Sequence, residues 1–159
     1  MGSAVLSAED VTGKVVPFSR VASASIAAPA PDERTLELVR TLRVLWRNSQ
    51  LSRRDDFDRA CLLIAGDQTT TVERYAAAFF EGAQIFAHRR LKFFNAKSAT
   101  VSDDEMWLAR ILLSLHKGDH TSARFLMELR IAPAGLRRLM FLLHRLALHL
   151  CDEYVARLP

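Results

Sequence analysis

Long apolar runs are missing from this chain. Leu62-Leu63-Ile64-Ala65 is representative of those it has, and a membrane-spanning helix needs about twenty such residues in succession. Cysteine is scarce too. Cys61 and Cys151 are the only two, too few for a disulfide framework, and both fall inside apolar helical patterns, as reduced thiols of a cytoplasmic protein do. The opening Met1-Gly2-Ser3-Ala4-Val5-Leu6 has neither a basic leader nor a continuous apolar block, so no signal peptide is expected. No stretch alternates apolar and polar residues in the manner of a half-buried strand.

Motifs for chemistry are equally thin. The chain has no G-x-S-x-G, no phosphate-binding P-loop, no dinucleotide glycine fingerprint and no kinase signature. None of the five histidines follows a glutamate at the i−3 position that helical di-metal sites use. His116 and His120 stand four apart but Gly118 lies between them, and His144 and His149 diverge on a helix. His88 with His144 is the pair from which a distant-helix metal or haem site would have to be assembled, and solvated or core-edge histidines are the simpler reading. The acidic clusters Asp55-Asp56-Asp58 and Asp103-Asp104-Glu105 sit where helix dipoles favour negative charge. Capping accounts for both, so no enzyme, cofactor or metal is expected.

What is present is a helical body. Half of the 159 residues are apolar and a quarter are charged, an ordinary globular balance that fills one domain. Residues 1–31 hold three of the five prolines, Pro17, Pro29 and Pro31, among Ser, Ala and Val without sustained period. They read as a flexible N-terminal arm. From Asp32 to residue 159 helical periodicity takes over, and the expected architecture is a compact all-α bundle of about six helices.

The first helix spans 33–49 with Leu36, Leu38, Val39, Leu42, Leu45 and Trp46 as its stripe. Ser52 is the expected N-cap of a second helix over 53–65 that stops at Gly66. Thr70 and Glu73 form a capping box for a third that runs to Phe94. Ser102 and Glu105 form another, for a helix that ends at Lys117 and Gly118. Asp119 caps a short helix to Arg130, and Pro133 opens a last one through Leu158. Gly82 is set inside the third helix, where glycine costs about 1 kcal/mol relative to alanine. A closely approaching neighbour is the expected reason.

Two helices look more apolar than a single core seam requires. Tyr75, Phe79, Phe86 and Phe93 are spaced 4, 7 and 7 apart on one face of the third helix, with Phe80 and Phe94 off that line. The last helix adds Phe141, Leu142 and Leu148 beyond its stripe. Phe80, Phe94, Phe141, Leu142 and Leu148 are therefore the candidate interface, and a homodimer through the third or last helix is expected.

The net charge of +4 is uneven. Residues 32–83 carry −1 and residues 84–159 carry +5, and 18 of the 22 basic side chains are arginine. Arg89, Arg90 and Lys92 form one basic cluster and Arg137, Arg138 and Arg145 another. Either could meet an acidic protein or phosphates, although arginines on solvent faces of helices are routine. A helix-turn-helix centred on Gly118 fits partially, since only Arg124 is cationic among Thr121, Ser122, Arg124 and Glu128. The leading reading is a non-catalytic regulatory or adaptor protein that works through helix surfaces, with a protein partner. A small DNA-binding regulator is the alternative, and a helical ligand or cofactor binder with a pocket lined by Phe79, Phe86 and Met140 is the third.

Overall fold

The computed structural model describes residues 29–52, 56–67 and 69–155, the last three by backbone alone. The arm expected over residues 1–31 lies almost wholly outside the described residues. Among them are six helices: α1 (Glu33–Leu51), α2 (Phe57–Gly66), α3 (Val72–Phe86), α4 (Asp103–His116), α5 (His120–Glu128) and α6 (Pro133–Val155). No described residue belongs to a strand, and Ala87 and Ile131 form an isolated antiparallel bridge.

The helix starts follow local chemistry. Asp32 accepts from the backbone N–H of Thr35 at 2.9 Å and opens α1. Ser102 and Glu105 close a reciprocal capping box on α4, and Asp119 accepts from the N–H of Ser122 to start α5. At the end of α4, Gly118 takes a φ of +79°. The N–H of Gly118 then donates to the Leu115 carbonyl and that of Asp119 to Ser114. This paired closure is the Schellman arrangement, and the left-handed residue it needs is a glycine.

Three boundaries depart from expectation. Ser52 does not start α2. It closes α1, where its N–H and Oγ both donate to the Asn48 carbonyl, and Asp56 caps α2 instead; residues 53–55 lie outside the described residues. The Thr70 hydroxyl donates to the Asp67 carbonyl rather than capping α3, and Thr71 takes the N-cap position without a side-chain bond. The third difference is the largest. α3 stops at Phe86, not Phe94, because Ala87 pairs with Ile131: the His88 N–H donates to the Arg130 carbonyl and the Ala132 N–H to that of Phe86. Residues 87–102 are consequently a non-helical segment.

α3, α4 and α6 make the core, with Tyr75, Phe79, Leu108, Ile111, Leu112, Leu139, Leu142, Leu143 and Leu146 almost wholly buried. α3 packs against α1, α2 and α6 at once. Its wide apolar circumference is thus used inside the chain, and Phe80, only 3% exposed, is core. Gly82 meets the expectation of a close neighbour, since a Cβ there would overlap the Phe57 ring and the Leu139 side chain. No helix among the described residues is long and apolar enough to cross a membrane.

Candidate ligand groove and its buried clasp

The acidic first turn of α4 does more than satisfy its own helix. Glu105 has no solvent exposure and receives Arg43 from α1 as a two-pronged pair, Nε to Oε1 at 2.8 Å and Nη2 to Oε2 at 2.9 Å. The same carboxylate accepts the backbone N–H of Phe94 at 2.7 Å and of Ser102 at 2.8 Å. Arg43 also donates from Nη1 to the Ser98 carbonyl at 2.8 Å and from Nη2 to the Thr100 carbonyl at 2.6 Å. Every charged atom is therefore partnered, as burial of an ion pair demands. Burial pushes the Glu105 carboxyl up, but the Arg43 guanidinium and the two backbone donors outweigh it and hold the pKa below the ordinary value.

Asp104, 1% exposed, is a second clasp. It accepts both terminal nitrogens of Arg89, at 2.8 and 2.9 Å, and the Lys92 N–H at 2.7 Å. Arg130 completes it with an ion pair from the α5–α6 connection. The Arg130 guanidinium also lies over the Trp107 ring. Burial, with the Arg89 charge nearby, lowers the Arg130 pKa. The Ser102 hydroxyl donates to the Lys92 carbonyl at 2.6 Å. Together these contacts pin the 87–102 segment across α1 and α4.

The pinned segment closes one side of a groove of about 420 Å³, within the size range of small-ligand sites. Its lining is Trp46 and Gln50 from α1, Phe80, Ala83 and Gln84 from α3, and Ala87, Arg89, Arg90, Leu91 and Phe93 from the segment. Phe93 stacks on Trp46 with ring centroids 5.6 Å apart and meets Phe80 edge-on at 5.3 Å. These three rings make an apolar floor. Among the described residues, two arginines and two primary amides stand at the rim and no carboxylate lines the groove.

The basic candidates divide. Arg89 and Arg90 reach this groove, whereas Lys92 turns its ammonium over the Phe94 ring. Arg138 pairs with Asp58 and lies over the Phe57 and Phe86 rings. Arg145 donates to the Tyr75 hydroxyl at 3.2 Å, and Arg137 is exposed on α6. Arg124, the one cation of the supposed recognition face, is paired with Glu128.

The apolar candidates divide as well. Leu142 is fully buried and joins Phe80 in the core, while Phe94 is half-buried and Phe141 and Leu148 are 48% and 40% exposed. None of Phe79, Phe86 and Met140 lines this groove; Phe79 is fully buried, and its neighbour Phe80 is the α3 ring on the groove.

His144 lies against His120, not His88, with rings 5.5 Å apart. Among the described residues no group of three or more His, Cys, Asp or Glu side chains is placed to hold a metal ion. Cys61 and Cys151 are free, and burial pushes both thiols above their ordinary pKa.

Sequence reasoning missed Arg43 and the second role of Glu105. A signal for Arg43 existed: it lies four residues after Val39 and three before Trp46, a charge set on the apolar stripe. No protein family, curated protein or solved structure matches the chain.

Proposed function

We propose that the protein is a non-catalytic adaptor that captures a partner protein through the groove between α1, α3 and the 87–93 segment. The observation that carries this reading is the aromatic floor of Trp46, Phe80 and Phe93 beside a cationic rim, with the 87–93 wall anchored by Asp104 and Glu105 through Arg89, Lys92 and Phe94. A binding surface of this kind gains affinity from geometry set before the partner arrives. The most deeply held ionisable groups, Arg43, Asp104 and Glu105, are consumed by structural partners, which supports binding over proton-transfer chemistry. Two unbridged thiols fit a cytoplasmic setting.

Photo-crosslinking in cells tests this. A crosslinking side chain at Gln84, exposed on the rim, is expected to trap a discrete protein that the same group at Thr121, exposed on α5, does not. No adduct at residue 84, or the same adducts at both positions, would remove the reading.

Self-association through α6 is the second part. Arg137, Phe141, His144 and Leu148 follow a 4-3-4 spacing, which aligns them on one face of that helix, and Phe141 and Leu148 are exposed there. Sedimentation equilibrium should find a dimer that Phe141→Glu dissociates, and a wild-type monomer at micromolar concentration would end this part. DNA binding has less support because Arg89, Arg138 and Arg145 are already engaged. Saturable, steeply salt-dependent binding to random duplex DNA would reverse that ranking.

A further inference from the structure

We infer that the groove selects an extended acidic peptide segment that carries one apolar side chain, a specificity that rests on the adaptor reading above. Three observations determine the choice. The floor of Trp46, Phe80 and Phe93 is apolar and aromatic, so it takes a hydrocarbon side chain with no hydrogen-bond demand. The walls carry Gln50 from α1 and Gln84 from α3, and a primary amide offers both a donor and an acceptor, the pair that a peptide backbone presents at each residue.

Charge supplies the third. Arg89 is already committed to Asp104, whereas, among the described residues, the exposed Arg90 guanidinium has no acidic partner and no carboxylate lines the groove. An incoming carboxylate therefore meets an unneutralised guanidinium whose planar donors match it in two-pronged fashion. A lysine-bearing segment would meet like charge at the same point, which gives selectivity by repulsion as well as attraction.

The test uses the full chain labelled with nitrogen-15 and two blocked peptides, Glu-Glu-Leu-Glu-Glu and its counterpart with every glutamate replaced by glutamine. The acidic peptide is expected to shift the Trp46 indole N–H and the Gln50 and Gln84 side-chain amides. The buried Trp107 indole, which donates to the Leu126 carbonyl at 2.7 Å, should stay in place. Arg90→Ala should weaken the acidic peptide about tenfold, the usual loss for one charge-assisted contact, and leave the weaker neutral peptide unchanged.

Equal binding of both peptides with no effect of Arg90→Ala overturns the charge selection and leaves the adaptor reading standing. Silence of the groove signals toward both peptides, together with a protein adduct at residue 84, sinks the inference alone. Adenosine monophosphate moving the same signals at lower concentration than the acidic peptide overturns it in favour of a nucleotide site. Failure of the adaptor reading is separate and is read from the absence of any residue-84 adduct.

Discussion

Arg43 and Glu105, 62 positions apart in sequence, meet through two hydrogen bonds of 2.8 and 2.9 Å with both side chains out of water. The pair joins α1 to the start of α4, and its spare atoms hold the intervening segment by four backbone groups, at Phe94, Ser98, Thr100 and Ser102. Removal of one partner leaves the other charged and buried, which costs about 3–5 kcal/mol. Arg43→Ala and Glu105→Ala should each lower Tm by roughly 10–20 °C in a domain of this size.

Replacement of both partners is more informative. In many proteins a buried ion pair exchanges for hydrophobic residues at little cost. Here Arg43→Met with Glu105→Leu would still strand the four backbone groups, so the double variant should remain about 2 kcal/mol or more below wild type in urea denaturation. Recovery to wild-type stability would mean that water satisfies the segment and that the clasp contributes little to its position.

Acid should weaken the fold through the same carboxylate. Folding holds the Glu105 pKa below its ordinary value, so as pH falls the unfolded chain takes up this proton first. Stability then rises with pH across the window, is fully present above the ordinary carboxylate pKa, and is lost as pH falls through the lower folded value. The helix-start carboxylates Asp32 and Asp119, and Asp67 in the α2–α3 connection, held down by hydrogen bonds from Thr35, Ser122 and Thr69, act with the same sign. Thermal melts from neutral to acidic pH should show a flat upper limb and a falling lower one. Glu105→Gln should start lower and fall less steeply, and an unchanged slope would assign the acid limb to other groups.

Gly82 gives α2 its seat. A methyl group at that position gains about 1 kcal/mol of helix propensity, but it overlaps the Phe57 ring and Leu139, and overpacking of this kind costs about 1–3 kcal/mol. Gly82→Ala should therefore destabilise modestly and lift α2 from α3. Cys61, one turn along α2 from Phe57 and already half-buried, reports that movement: its reaction with a disulfide reagent should accelerate while buried Cys151 stays protected. A more stable variant with an unchanged thiol rate would show that Phe57 moves aside freely.

The elements that could be read in advance are those whose signals are local. Ser102, Asp103, Asp104 and Glu105 announce the start of α4, and Gly118 announces its end, because caps and left-handed turns are settled within a few residues. The end of α3 could not be read in that way. Residues 87–94 continue an acceptable helical pattern, and what stops the helix is the pairing of Ala87 with Ile131, from a segment far along the chain. Ser52 and Asp56 are both good cap residues, and α1 claims the first through the Asn48 carbonyl. The groove was hidden for a related reason. Phe93 reaches Trp46 and Phe80 only because the clasp turns its segment across α1, so no spacing along a single helix could have grouped the three rings.

Asp104 should behave asymmetrically toward its two arginines. It is 2% exposed by side chain and pairs with Arg89, 57% exposed, and with Arg130, 23% exposed. Arg89→Ala removes a largely solvated cation and leaves the carboxylate paired with Arg130, so the loss should be about 1 kcal/mol or less. Asp104→Ala abandons Arg130 in a largely buried position over Trp107 and deprives the Lys92 N–H of its acceptor. That loss should approach the roughly 3–5 kcal/mol of a broken buried pair. Urea denaturation compares the two totals, and hydrogen exchange at the Lys92 amide separates their origins. That amide should remain protected in Arg89→Ala and exchange freely in Asp104→Ala. Equal losses, with the amide released in both, would mean that Arg89 itself holds the segment and that Arg130 is a bystander.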